Sequence, residues 1–399
     1  IYWIPPLLGA VILLLSGILP FQHAVDGLTQ NSDVNPLKIL LLFLSMTLLS
    51  IFLDEAGFFR ILASLALRRA KRSQMTLFLS LYCTVSILTV FTSNDIIVLT
   101  FTPFICYFAH NAGIDPLPYL IGEFAAANTW SMALMIGNPT NIYLATSAGI
   151  SFFDYLRVML LPTLLTGIVS LGILLLLFRR RLAVPLRANP EQVRAHDRVL
   201  IVIGILHLAG CILCLSCSSY LGWPMWLISC GFAVSLFLCT LLYSTVRRTK
   251  PLILLHSAAR IPWDIIPFML SMFLIVLALD AHGVTALLAR LFSTGHPVWV
   301  YGFTSFFTAN IVNNIPMSVL FSAILSSGTS APLSAVYAAI AGSNLGALFT
   351  PIGALAGIMW IAMLRNRGVS LSFARFTAYG TVIAVPALTA ALFGLCLVL

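Results

Sequence analysis

The residues able to do chemistry in this chain are few, and they interrupt long apolar runs. Asp95 closes the polar tetrad Thr92, Ser93, Asn94, Asp95, which separates the apolar segments 75–91 and 96–109. Of the twelve acidic residues, Asp26, Asp33, Asp115, Asp154, Glu191, Asp197 and Asp264 fall in loops or at interfaces, whereas Asp54, Glu55, Asp95, Glu123 and Asp280 sit at or near depth. An isolated charge at the centre of a bilayer costs at least ~2.5–3.5 kcal/mol, so each of these needs a polar cavity, a partner or a proton. At a chain reversal, where helix ends and backbone carbonyls are freed, Asp95 has the setting of an ion or proton carrier. The competing role is to cap the helix that follows, for which Asp is a favoured type. Glu123 lies five residues before Asn128, about 7 Å along a helix axis, and reads either as a second proton site or as a residue of the cytoplasmic mouth.

Uncharged donors and acceptors collect at two further interruptions. Gly137, Asn138, Thr140 and Asn141 break one apolar run downstream of Asn128, and Thr350 and Gly353 break another downstream of Asn344. A half-helix N-terminus carries about half a positive charge, which suits a small oxyanion or a polarised hydroxyl. The alternative is that these side chains only satisfy the broken backbone. Asn313 and Asn314 take the place in the second half that Asn94 and Asp95 take in the first, at an offset of 219, so a carboxylate is matched there by a neutral amide. Together with Ser93 these amides, hydroxyls and glycines are the expected substrate-binding set, with Asp95 and Glu123 as the coupling carboxylates. Cys211, Cys214 and Cys217 have metal-like spacing, but three thiols at i, i+3 and i+6 of an apolar helix read as small apolar residues. His207 reads as a packed polar residue of a span, and no metal or cofactor is expected.

The elements that must hold these groups are set by composition. Sixty per cent of 399 residues are hydrophobic, 8% are charged and the mean hydropathy is +1.04, so most of the chain must be solvated by lipid. Apolar runs of about 16 to 26 residues exclude a barrel of short alternating strands. The net charge of +9 is gathered in a few loops (Arg68, Arg69, Lys71 and Arg72; Arg179 to Arg198; Arg247, Arg248 and Lys250; Arg365 and Arg367), while segments 20–36 and 145–153 hold no Lys or Arg. That is the positive-inside pattern of a multi-pass plasma-membrane protein with cytoplasmic basic loops, and it argues against nucleic acid as a partner. No cleavable signal peptide is evident.

Two related halves account for the order of the runs. Ser45, Met46, Leu53, Asp54 and Gly57 recur 226 positions later as Ser271, Met272, Leu279, Asp280 and Gly283, and Asn128 to Gly137 recurs 216 positions later as Asn344 to Gly353. The expected fold is an all-α polytopic membrane protein of two inverted repeats, each with a re-entrant hairpin and a discontinuous transmembrane helix. Residues 1–178 form the first repeat with a leading helix, 179–198 a basic cytoplasmic linker, and 199–399 the second repeat. The hairpins fall at 75–109 and 297–326, and the broken helices at 118–145 and 331–364. Whether each hairpin re-enters or crosses fully stays open.

The string LDEAGFF at Leu53 to Phe59, Asn94 and Asp95 followed by LTFTP, the turn Asn313, Asn314, Ile315, Pro316, and TPIGALAGIMW from Thr350 to Trp360 resemble ArsB-type arsenite and antimonite efflux carriers of the ion transporter superfamily. The resemblance covers nearly the whole chain and implies paired inverted repeats that move arsenite outward in exchange for protons. Asn128 and Asn344 stand where those carriers can have aspartate, and Leu348 where a lysine can occur. The leading expectation is therefore a secondary transporter of a small inorganic solute. A sodium/proton antiporter stands as an alternative, since the GNPTN stretch at Gly137 to Asn141 is similar to antiporters of the same superfamily, and a sodium-coupled dicarboxylate or other anion transporter as another, since that branch resembles this chain but places neutral Ser, Asn and Thr at the first tip, where Asp95 stands here. An intramembrane enzyme would need paired catalytic groups, and none stand at convincing spacing. No GxxxxGK[ST] loop is present; a separate ATPase subunit and a homodimer stay open as partners.

Overall fold

Proline, asparagine and glycine at the edges of the apolar runs set where helices begin and end. Asn35 caps a helix that starts at Pro36, its Oδ1 accepting from the backbone N–H of Leu37 and Lys38, and Gly57 closes it in the left-handed region at φ +87°. Gly283 ends the matching helix of the second half the same way, at φ +74°. In both turns the glycine N–H returns to an aspartate carbonyl, Asp54 or Asp280, at 2.9 Å. The repeated Asp and Gly are thus a helix stop made by the glycine, which frees both aspartate side chains for other contacts.

The computed structural model describes residues 3–29, 35–69, 73–185, 197–218, 222–327 and 332–399. It contains nineteen α-helices and no strand among these residues: α1 (Ile4–Leu15), α2 (Phe21–Thr29), α3 (Pro36–Glu55), α4 (Phe58–Arg69), α5 (Gln74–Phe91), α6 (Asn94–Ala112), α7 (Leu117–Trp130), α8 (Pro139–Ser147), α9 (Phe152–Leu182), α10 (Arg198–Ser216), α11 (Met225–Val246), α12 (Leu252–Arg260), α13 (Ile265–Ala281), α14 (Val284–Phe292), α15 (Pro297–Val312), α16 (Asn314–Ser327), α17 (Leu333–Phe349), α18 (Leu355–Asn366) and α19 (Phe373–Val398). Seven helical stretches are long and apolar enough to cross a bilayer; α3, α5, α9, α10, α11 and α19 are six, and α12 with α13 makes the seventh. The chain is a multi-pass membrane protein.

Elements α3 to α9 recur in order as α13 to α19. Their packing recurs too. Helices α5 and α6 lie on α7 as α15 and α16 lie on α17, α8 rests on α16 as α18 rests on α6, and α7 meets α17 at the centre. Every residue of α7 from Leu117 to Thr129 is buried, as is every residue of α17 from Ala335 to Leu348, and both carry small residues, Gly122 and Ala125 to Ala127 in α7 and seven alanines and glycines in α17. Small side chains let helix backbones approach closely where lipid offers no hydrophobic drive between helices. At the periphery α10 and α11 expose Val202, Leu206, Leu213, Leu238 and Leu242 to the bilayer.

Three readings of the sequence need adjusting. The basic linker expected from residue 179 begins inside α9, which carries Arg179, Arg180 and Arg181 in its last turn; residues 186–196 of that linker, like Lys71 and Arg72, lie outside the described residues. The segment 20–36, expected as a loop, contains α2, and α12 was likewise not foreseen. Both are nine-residue amphipathic helices, too short to show a periodic signal above their apolar neighbours.

The end of α3 is tied to the end of α12 by charge. The Arg260 guanidinium reaches Asp54 at 2.7 Å and Glu55 at 2.6 Å, and His256 stands 3.9 Å from Glu55. Asp54 is buried, so removing its cation leaves a carboxylate without a partner. Arg260→Ala is expected to lower stability by about 2 kcal/mol, measured as a lower thermal midpoint of the detergent-solubilised protein. Asp54→Asn in the same background should recover part of that loss, which a purely steric effect of the missing arginine would not.

Candidate functional site

Between α5 and α6 only Thr92 and Ser93 leave the helical conformation, and the three residues at this tip point different ways. Ser93 is the N-cap residue of α6 yet makes no side-chain cap. Asn94 turns inward, its Nδ2 donating to Asn128 Oδ1 of α7 at 3.1 Å while Asn128 Nδ2 donates to the Phe124 carbonyl at 2.8 Å. Asp95 turns the other way. It lines a cavity of about 420 Å³ with Thr47 of α3, Arg260 and Asp264 at the α12–α13 junction, and Leu355 of α18. Its carboxylate takes no hydrogen bond or ion pair among the described residues. Asp95 therefore does not cap α6. The N-terminus of α18 also lines the cavity through Leu355, and Ala354 provides no side-chain cap there, so a helix end of positive partial charge borders the same space.

The first break is longer than the sequence suggests, spanning residues 131–138. Helix α7, expected to run to about Met135, ends at Trp130, and a single 3-10 turn over Met135–Gly137 leads into α8. Side chains recover the carbonyls of this early stop: Asn141 Nδ2 donates to Ser131 O at 2.9 Å and to Leu134 O at 3.3 Å, Ser131 Oγ to Asn128 O at 3.0 Å and the Tyr155 hydroxyl to Met132 O at 3.0 Å. Asn138 caps α8 through Thr140 N at 3.2 Å. Gly137 allows the turn to fold back, since a Cβ there would overlap the Ser131 carbonyl.

Asn344 of α17 closes the arrangement from the other half. Its Oδ1 accepts from Ser131 Oγ at 2.9 Å and Asn138 Nδ2 at 3.1 Å; its Nδ2 donates to Asn141 Oδ1 at 2.6 Å and to Ile340 O at 2.8 Å. A primary amide has two donor hydrogens and two acceptor lone pairs, and Asn344 uses all four. This fully buried amide is a pin between the halves rather than an open ligand. Hydrogen-bonding capacity left free lies elsewhere, on buried Asn94 Oδ1, Thr129 Oγ1, Thr140 Oγ1, Ser343 Oγ and Asn314 Oδ1, none with a protein partner.

The second break is held by a residue outside the expected binding set. Asn310, inside α15, accepts from Thr350 N at 3.1 Å and Thr350 Oγ1 at 2.6 Å, and donates to Gly346 O at 3.0 Å. Gly353 sits where a Cβ would overlap the Gly346 carbonyl. Asn313 alone interrupts the second hairpin, at φ +79° and ψ 156°, an extended positive-φ backbone that side chains rarely adopt, and its Nδ2 braces Ile352 O at 3.1 Å. Because α6 starts at Asn94 and α16 at Asn314, the helix starts set the offset at 220 rather than 219. Asn94 then corresponds to Asn314, each with a buried and unpartnered Oδ1, and Asp95 corresponds to Ile315.

Glu123 stands apart from the cavity. It is buried on α7, and Thr102 Oγ1 of α6 lies 3.0 Å from both of its carboxylate oxygens; no cation approaches it within ion-pairing distance among the described residues. Ser131, Asn310, Thr102, Arg260 and Asp264 all contribute, and sequence reasoning assigned none of them to the site. Ser131 lay inside the repeated stretch from Asn128, but its counterpart 216 positions on is Ala347, so the repeat did not mark it; Arg260 and Asp264 had no signal, because they meet Asp95 only through the tertiary fold.

Comparison with known proteins agrees with this architecture. A family model described as CitMHS, citrate transporter, matches residues 2–340. The arsenical pump membrane protein of Escherichia coli is 27% identical, over 98% of this chain and 92% of its own. The putative arsenical pump membrane protein of Bacillus subtilis is 24% identical over 96% and 91%. Among solved structures, the YdaH transporter of Alcanivorax borkumensis, described as having an unusual topology, superposes with a TM-score of 0.52 over 94% of this chain and 86% of that one, at 16% identity. That last likeness concerns the fold.

Asn344→Ala removes four hydrogen bonds and leaves the buried Asn138 Nδ2 and Asn141 Oδ1 without a partner among the described residues. A loss of on the order of 3 kcal/mol is expected, read as a lower unfolding midpoint in detergent. Thr140→Val, which removes an oxygen without a protein partner, should shift that midpoint far less.

Proposed function

Because this chain belongs to the CitMHS citrate transporter family, and is therefore a membrane transporter rather than an enzyme, we propose that it is a proton-coupled secondary carrier exporting a small inorganic solute such as arsenite or antimonite. The observation that carries this reading is the Asp95 carboxylate, without a partner among the described residues, facing a cavity between two structural units. One unit is knit together by the amide hub, which joins the tip of α6, α7, the first break and α17. The other wall comprises α3 and the α12–α13 junction. A carboxyl on that seam can be loaded and unloaded with a proton as the units move past each other, which is what coupling by alternating access requires.

The sign of the cavity selects the substrate class. Arg260 faces it, but two carboxylates, Asp54 and Glu55, already take its guanidinium at 2.7 and 2.6 Å. Asp95 and Asp264 remain, so the wall is acidic. A free tricarboxylate or dicarboxylate meets repulsion there, as like charges do at short range. A neutral trihydroxide such as arsenous acid does not, and uncharged oxygens and amides suffice to bind its hydroxyl groups. The names of the relatives point the same way. The acidic wall also suits a small cation, which supports a sodium/proton antiporter as the second reading. We place the basic loops on the cytoplasmic side by the positive-inside rule, so that the solute leaves the cell as protons enter.

In proteoliposomes loaded in turn with arsenite, sodium and citrate under an imposed pH gradient, arsenite flux should follow the gradient and citrate flux should be absent. Asp95→Asn should bring gradient-driven flux to the background of protein-free vesicles. Gradient-driven flux that survives this substitution removes Asp95 from coupling, and citrate transport in the unmodified protein overturns the argument from charge. Glu123→Gln keeps an acceptor for Thr102, so stability should change by less than about 1 kcal/mol. If Glu123 carries a second proton, the pH profile of flux flattens in that variant; an unaltered profile assigns Glu123 to structure alone.

A further inference from the structure

A second polar cavity lies away from Asp95, where two long spans end. Helices α9 and α19 pack antiparallel, with Phe178 against Tyr379 at a ring-centroid distance of 5.5 Å near one end and Gly394 against Pro162 near the other. At the Phe178 end, Arg181 from the last turn of α9 and Arg375 from the first turn of α19 line a cavity of about 380 Å³, completed by Asp115, Leu117 and Ser370. Each guanidinium lies over one ring of the aromatic pair, 5.9 Å from the centroid: Arg181 over Phe178 and Arg375 over Tyr379.

We propose that this cavity binds the phosphate of an anionic phospholipid from the leaflet it borders. Charge is the first argument. Arg181 is paired with Asp115 at 2.7 Å, whereas Arg375 has no acidic partner among the described residues, so the cavity keeps a net positive charge. Arg179 and Arg180 extend the positive surface from α9. A guanidinium offers a planar fork that matches two phosphate oxygens, and basic pockets between span ends hold lipid headgroups for this reason. Placement is the second argument. The same two helices expose Leu176 and Leu177 on α9 and Phe373 and Val382 on α19, so acyl chains have an apolar surface beside the charged mouth. A soluble anion would use only the arginines; a phospholipid uses both. The lipid would also bridge α7, through Asp115 and Leu117 at its start, to the α9–α19 pair.

The full chain, purified in a non-ionic detergent, can be titrated with phosphatidylglycerol, phosphatidylcholine or glycerol 3-phosphate while the thermal unfolding midpoint is followed. Phosphatidylglycerol should raise the midpoint saturably and the other two should not. Arg375→Gln breaks no ion pair, so its lipid-free midpoint should match the unmodified protein, while half-saturation should require about fivefold more phosphatidylglycerol, the change for one lost cation at a membrane surface. Arg290→Gln on α14, an exposed arginine far along the chain, should titrate like the unmodified protein. Equal stabilisation by phosphatidylcholine, or by glycerol 3-phosphate, overturns the proposal. So does an Arg375→Gln titration indistinguishable from that of the unmodified protein, or an equal weakening by Arg290→Gln.

Discussion

Interrupting a helix inside a membrane strands N–H and C=O groups that lipid cannot satisfy, and each costs several kcal/mol if left alone. The interior of this protein is organised around meeting that constraint with asparagine. Asn141 takes the carbonyls left open where α7 stops, and Asn310 does the same for α17. Asn344 then joins the first break to the second half with every hydrogen-bonding position of its amide in use. An amide can do this where a carboxylate cannot, because it donates and accepts at once. The neutral residues at these positions are the means by which two broken helices become one rigid body.

Rigidity at the centre concentrates freedom at its edge. With Asn94 bound to Asn128 inside the rigid body, its neighbour Asp95 is oriented outward by the helix itself, since adjacent residues of a helix do not share a face. The same turn thus anchors the tip and presents the carboxylate. The opposing wall is held separately, by Arg260 gripping Asp54 and Glu55, so the cavity lies between two bodies that are each internally bonded and share no ion pair across it among the described residues.

Much of this was legible in the sequence, and the gaps have physical causes. The repeated Asp–Gly stop of α3 and α13, the hairpin interruptions at Ser93 and Asn313 and the two glycine-bearing breaks show directly as polar or flexible residues in apolar runs. Their partners do not show. Nothing near Asn344 indicates that it bonds to residues more than two hundred positions away, and nothing near Arg260 indicates that it faces Asp95. The set of residues read as substrate-binding therefore mixed two populations with the same chemistry. Asn138, Asn141, Asn344 and Thr350 are engaged in holding the breaks, whereas Ser93, Asn94 and Asp95 surround the open space or retain free atoms. Hydrogen-bond valence separates them, and valence is a property of the fold. The offset of 219 failed for a related reason: residue identity favoured pairing Asp95 with Asn314, while the helix starts pair it with Ile315.

That pairing bears on how the two halves divide the work. If Asp95 had an amide counterpart, both tips could contribute polar ligands to one central solute. With Ile315 buried in its place, the second tip offers no group of that kind outward, and its Asn313 is committed to Ile352. The halves share an order of helices and a pattern of packing, yet of the two hairpin tips only the first carries a carboxyl. At the tips, one carboxyl has a single charge to lose to a proton, whereas a symmetric pair would have two. The asymmetry between Asp95 and Ile315 therefore confines the tip carboxyl to one half, and the second half contributes its acidic group, Asp264, to the same cavity from the α12–α13 junction instead.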